Sequence, residues 1–91
     1  MSSLKAKKIA ASLLKKGFKE TTGHHIYFDF RCKNKVVART YMSHSVKDID
    51  DYLLNAMRKQ CNMDKDFFLQ FIECTRTQED YVKLLTDKDL I

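Results

Sequence analysis

The chain contains no proline and only two glycines, Gly17 and Gly23. No repeat and no biased stretch interrupts it, so nothing marks a linker or a low-complexity segment. It has three cysteines, an odd number, and none stands in a Cys-x-x-Cys pair. That argues against a disulfide framework and against a zinc site built on cysteine. Cys32, Cys61 and Cys74 read as small buried hydrophobes. No apolar run comes near the roughly 20 residues needed to cross a bilayer. The lysines near the N-terminus are not followed by an unbroken apolar segment. No secretory signal and no membrane association are therefore expected, and a cytoplasmic location is. There is no run of Lys and Arg alone, so a disordered basic tail is not indicated.

What is present suits one small domain. The chain has 91 residues, 44% hydrophobic and 32% charged. That is enough for a modest core and an ordinary surface. The net charge is +5, and its distribution says more. Residues 1–47 hold eleven Lys and Arg against two Asp and Glu, and residues 48–91 hold six against ten. The first half is strongly basic and the second acidic. A basic region of this density suggests a polyanion partner such as nucleic acid. The plainer alternative is a solvated lysine-rich face.

The chain is organised around the stretch 22–30, Thr-Gly-His-His-Ile-Tyr-Phe-Asp-Phe. Ile26, Phe28 and Phe30 share one parity, and His25, Tyr27, Asp29 and Arg31 the other. A period of two predicts a strand with one buried and one wet face. The two histidines stand at its mouth, where a loop meets a rigid scaffold.

Before it, Ser2 or Ser3 is expected to cap a helix over about residues 3–16, with Ile9, Leu13 and Leu14 as its apolar stripe. Lys5, Lys8, Lys15 and Lys16 line the other side or the C-terminal end. Gly17 suits the left-handed residue that ends a helix. A short strand is expected over 18–21, the central strand over 25–32, a polar turn at 33–35 and a third strand over 36–41. Ser45, with Asp48 three residues on, predicts a capping box for a second helix running to about Cys61. Val46, Ile49, Leu53, Ala56 and Met57 supply its spacing. Lys47 and Asp51 form an i, i+4 pair on its wet side. Asn62 and Met63 break the pattern. Asp64 caps a short helix carrying Phe67, Phe68, Phe71 and Ile72. Thr77 and Asp80 form another capping box before Tyr81, Val82, Leu84 and Leu85. The expected fold is α+β, with α-β-β-β-α order over residues 1–61, a three-stranded antiparallel sheet and both helices on its one apolar face. Residues 62–91 add a helical extension packed on the same domain or on a partner.

The order helix, Gly17-Phe18, short strand and Thr22-Gly23-His24-His25-Ile26-Tyr27 resembles the HicA family, also called YcfA-like proteins. The resemblance covers roughly residues 4–61. The family's usual signature is Gly-Ser-His-His followed by an apolar residue and an aromatic. Here His24, His25, Ile26 and Tyr27 match, and Thr22 and Gly23 stand at the glycine and serine positions. A histidine before the second helix, usually flanked by prolines, is a further family feature. His44 occupies that place without them. The resemblance implies a fold like the double-stranded-RNA-binding domain. It also implies an mRNA-cleaving toxin that works through a histidine, and a HicB-like antitoxin partner. His24 falls on the family's catalytic position, with His25 beside it.

The chemistry suits these residues. Metal-independent RNA cleavage needs a base for the 2′-hydroxyl and an acid for the leaving oxygen, and histidine serves both. Cations must stabilise charge on the phosphate. Lys19, Arg31, Lys33, Lys35 and Arg39 are nearest in sequence, and at least one is expected within a few ångströms of the histidine pair. Strand parity favours His25 on the wet face, and the family match favours His24. Tyr27 and Tyr41 are candidates for stacking on bases or for packing across the exposed sheet face. Adjacent strand residues point to opposite faces, so His24, His25 and His44 are not expected to share a metal, and no cofactor is expected.

Three readings stay open. The first is a ribonuclease acting through His24 or His25. The second is a non-catalytic RNA-binding module that uses the lysines Lys5, Lys8 and Lys15 together with Lys19, Tyr27, Arg31, Lys33, Lys35 and Arg39. The third is a protein-interaction domain whose acidic tail docks on its own basic half or on a second copy as a homodimer.

Overall fold

Alternation builds the sheet. The computed structural model describes residues 4–73 and 75–91. Strands β2 (Phe18–Thr22), β3 (Ile26–Cys32) and β4 (Lys35–Met42) form a three-stranded antiparallel sheet in the order β2-β3-β4. Phe28 lies opposite Glu20 and Thr40, and Phe30 lies opposite Phe18 and Ala38. Phe18, Phe28, Phe30, Ala38, Thr40 and Met42 are all buried on this face. The β3–β4 turn places Lys33 at φ 54° and Asn34 at φ 65°. Two consecutive left-handed residues make the tight hairpin turn that matches strand twist. The register then shifts by one residue between Phe30 and Arg31. Arg31 faces Val36 and Phe30 faces Ala38, which leaves Val37 as the extra residue of a bulge.

Before the sheet come β1 (Leu4–Lys5) and helix α1 (Ala6–Lys15). The helix starts later than its periodicity predicts. Leu4 and Lys5 pair instead with Ile49 and Asp48 of β5 (Asp48–Ile49), a second, two-stranded sheet. Lys5 occupies the cap position with no side-chain cap bond. The expected caps Ser2 and Ser3 lie outside the described residues. Ile9 and Leu13, four apart, are fully buried, and Ser12 is nearly so, whereas Leu14 is 43% exposed. One residue advances the helix by about 100°, which carries Leu14 off the core stripe. Gly17 ends the helix at φ +99°. A Cβ there would also lie 2.8 Å from the Gln78 side chain, so the site is glycine's on two counts.

Lys16 stands at the C-terminal end of the helix, one of the two places open to it in the sequence, but it is not solvated there. It is only 7% exposed. Its ammonium donates to the carbonyls of Phe71 and Arg76 and lies over the Phe71 ring, 4.8 Å from its centroid. A buried cation is tolerable because carbonyl oxygens replace its water.

Helix α2 (Asp51–Gln60) also starts later than predicted. The Ser45–Asp48 capping box does not form. Asp50 is the cap, accepting from the Leu53 amide at 2.9 Å. Asp48 and Ile49 are held extended by β1, and Lys47 precedes the helix, so the Lys47–Asp51 helical pair is lost. Helix α3 (Lys65–Ile72) is capped by Asp64, which accepts from the Phe67 amide at 2.7 Å. Helix α4 (Gln78–Asp87) opens with the reciprocal Thr77–Asp80 capping box. These two caps agree with the sequence reading.

Among the described residues the fold is mixed α+β, with four helices. α1 packs against β2 and α3, and α2 packs against β4, β5 and α3. Residues 62–91 complete the core. Tyr81 is fully buried, with its ring 5.7 Å from Phe18, 4.9 Å from Phe30 and 5.4 Å from Phe71. Its hydroxyl donates to the Cys61 carbonyl at 2.7 Å. Ser12 donates to the Ile72 carbonyl, and Thr40 donates to Gln60, both at 2.7 Å. Among the described residues no buried side-chain polar atom lacks a partner. No described helix is long and apolar enough to cross a membrane.

Candidate functional site

The second face of the sheet is set by the same registers. Lys19, Asp29 and Arg39 form one row across the three strands, and Thr21, Tyr27 and Tyr41 form the next. His25 stands one step beyond, at the β2–β3 turn. Its ring stacks on Tyr41 at 5.2 Å with 30° between planes, and meets Tyr27 edge-on at 6.0 Å. Tyr27 and Tyr41 are themselves 5.9 Å apart. The three rings therefore form one platform, of which Tyr41 is 44% exposed. Offset and edge contacts of this kind are the favoured aromatic geometries.

Arg39 borders the platform. Its guanidinium grips Asp29 through two bonds, Nε to Oδ1 at 2.6 Å and Nη2 to Oδ2 at 3.0 Å. The hydrogen bonds that Arg39 donates to Asp29, and then the carboxylate's charge, raise the Arg39 pKa above its ordinary value. The same guanidinium lies over the Tyr27 ring at 5.8 Å, within cation–π range. Asp29 is only 6% exposed, although strand parity puts it on the wet face. Its cross-strand arginine supplies the compensation that a buried carboxylate needs.

The histidines meet at one end of the sheet. Gly23, His24 and His25 link β2 to β3, and the loop after β4 returns His44 to the same end. His44 Nε2 lies 2.7 Å from the Gly23 carbonyl. A carbonyl only accepts, so Nε2 is the donor in this contact. His24 is exposed. Among the described residues no three His, Cys, Asp or Glu side chains are grouped to hold a metal ion.

The cations divide. Arg31, Lys33 and Lys35 sit at the β3–β4 turn, the end of the sheet opposite the histidines. The six steps from Ile26 to Cys32 put about 20 Å between the two ends. Of the five cations expected to supply at least one neighbour to the histidine pair, these three stand at the far end. Arg39 lies over the ring of Tyr27, which His25 meets edge-on. On α1, Lys5 pairs with Asp48 at 2.9 Å and Lys8 pairs with Glu73. Both pairs are half-exposed or more, so they hold these lysines only loosely. Lys15 and Lys19 are exposed.

Sequence reasoning missed the part played by His44 and the pairing of Asp29 with Arg39. The position of His44 follows from closure of the hairpin, with Ile26 opposite Met42. That register could be traced from the Lys33–Asn34 turn only by knowing of the bulge. Neither described cysteine takes part in the site. Cys61 is buried, its thiol pushed up to about 12 by desolvation, and Cys32 is half-buried. Cys74 lies outside the described residues.

Compared with family models, with curated proteins and with solved structures, the chain matches none.

Proposed function

We propose that this protein binds single-stranded RNA, with bases stacking on the platform of His25, Tyr27 and Tyr41. The observation that carries the reading is the contact of these three rings on a sheet face bordered by Arg39 and Lys19. Aromatic side chains on an open sheet offer a face to any base, and neighbouring cations track the phosphates. The +9 excess of residues 1–47 provides the long-range attraction.

The test is fluorescence anisotropy with a labelled single-stranded RNA. Stacking is worth about 1–3 kcal/mol per base. Tyr41→Ala is therefore expected to weaken binding by about 5- to 150-fold. Affinity is expected to fall steeply with added salt. An unchanged Kd in a Tyr27→Ala, Tyr41→Ala double variant would remove the proposal.

A catalytic version is favoured by one further observation. His24 is exposed at the tip of the hairpin, and His44 reaches the same hairpin through Gly23. In this reading the protein is a metal-independent ribonuclease of HicA-like type, with His24 as the acid–base residue, His25 chiefly stacking and a HicB-like antitoxin as its partner. The assay is cleavage of labelled mRNA in EDTA. Cleavage lost in His24→Ala supports it. Intact RNA with the wild type leaves the protein as a binding module.

A further inference from the structure

On the helix side of the histidine end a groove runs between α1 and the segment after β4. Its inner part, a cleft of about 230 Å³, is walled by Ala6, Ala10, Ile26, Met42, His44 and Val46. Past Ala6 and Val46 it opens into a second space of about 380 Å³, rimmed by Lys5, Lys7 and Lys47. The two spaces share Ala6, Lys7 and Val46. The amide of Ala6 donates to the Lys47 carbonyl at 2.8 Å, which ties the two walls together.

Three features define what such a groove accepts. Its floor is mostly apolar, and the two alanines, Ala6 and Ala10, leave room for a flat group. Its rim is cationic, and no acidic residue lines either space. Lys5 is matched by Asp48, but among the described residues Lys7 and Lys47 are in no ion pair. An occupant with a flat body of apolar faces and an anionic appendage fits this arrangement, and a nucleotide has that form.

The groove is also continuous with the candidate site. His44 is one of its walls and bonds Gly23 of the hairpin that carries His24 and His25. The aromatic platform lies on one side of the sheet end and the groove on the other. We infer that the groove is a second nucleotide subsite, so that a bound strand turns round the end of the sheet. One base stacks on Tyr27 and Tyr41, and the next nucleotide beyond the turn sits against Ala6, Ala10 and Val46 with its phosphate at Lys7 and Lys47. The backbone between them passes the His24–His44 edge. This inference rests on the RNA-binding reading and assigns the path of the strand.

The experiment compares a labelled trinucleotide, short enough for the platform alone, with a labelled hexanucleotide. The proteins are the wild type, a Lys7→Glu, Lys47→Glu variant and Tyr41→Ala. Both lysines are exposed, so the charge reversal leaves the core intact. The wild type is expected to bind the hexanucleotide more tightly. The lysine variant is expected to bind the trinucleotide within about twofold of wild type and to lose about tenfold or more on the hexanucleotide. Ala10→Phe, which fills the groove without changing charge, is expected to remove the same length-dependent gain. Tyr41→Ala is expected to weaken both ligands. If Tyr41→Ala weakens both ligands while the groove variants match the wild type on both, the second subsite is wrong and the platform stands. Equal losses on both lengths in the lysine variant would reduce the groove to general electrostatics. If no variant, Tyr41→Ala included, changes either affinity, the RNA-binding reading itself fails.

Discussion

Replacing Tyr81 by alanine tests whether residues 62–91 are an appendage or part of the core. The ring lies within 6 Å of Phe18, Phe30 and Phe71 and is fully buried. Its hydroxyl serves the Cys61 carbonyl. Burial pushes the phenol's pKa upward, so it stays a donor throughout the ordinary pH range. Removing a buried aromatic ring costs about 3–5 kcal/mol, and the lost hydrogen bond adds about 1 kcal/mol. The sum, about 4–6 kcal/mol, rivals the whole stability of many domains of this size. In a chain of this length it lowers Tm by about 15 °C or more. Tyr81→Phe keeps the ring and removes only the hydroxyl, so it is expected to cost about 1 kcal/mol. The assay is urea unfolding followed by far-UV circular dichroism. One cooperative transition with an unchanged slope is expected in both variants. A Tyr81→Ala loss below about 1 kcal/mol would refute the reasoning. So would a biphasic curve in which α4 melts before the sheet.

Two further predictions concern the helix starts. Asp50→Ala removes the observed cap of α2 and is expected to cost about 1 kcal/mol, whereas Ser45→Ala is expected to stay within about 0.5 kcal/mol. Equal effects in urea unfolding would contradict the observed start of the helix. At α4 the backbone amide of Thr77, bonded to Asp80, holds that carboxyl below its usual value. A depressed folded pKa contributes stability above the unfolded value of about 3.9, and this is lost as pH falls through the folded value. The Tm gap between wild type and Asp80→Ala is therefore expected to be constant above about pH 5 and to close below about pH 4. A gap that widens in acid would reverse the sign.

Much of the fold is legible in short-range pattern. The alternation of Ile26, Phe28 and Phe30 marks the central strand and its buried face. Gly17, Asp64 and the Thr77–Asp80 pair mark helix ends, because a cap is a contract among residues three or four apart. The site is less legible. Tyr27 and Tyr41 stand out as wet-face aromatics, but nothing local says that they touch each other and His25. Asp29 reads as solvated until Arg39 is known to lie opposite. Lys16 reads as one more surface lysine until the carbonyls of Phe71 and Arg76 arrive around it.

The dividing line is range. Period-two alternation, capping boxes and the split between a basic and an acidic half are properties of neighbouring residues, so the chain's own order decides them. The late starts of α1 and α2 come from a ladder between residues 4–5 and 48–49. The platform comes from one bulge. Continued from the Lys33–Asn34 turn without it, the register would set Tyr27 opposite Thr40 and Asp29 opposite Ala38. A slip of one residue exchanges the two faces of a strand. The extra Val37 moves Tyr41 and Arg39 onto the open face beside their partners. Only the packed sheet, with Ala38, Thr40 and Met42 drawn into the core, selects that register.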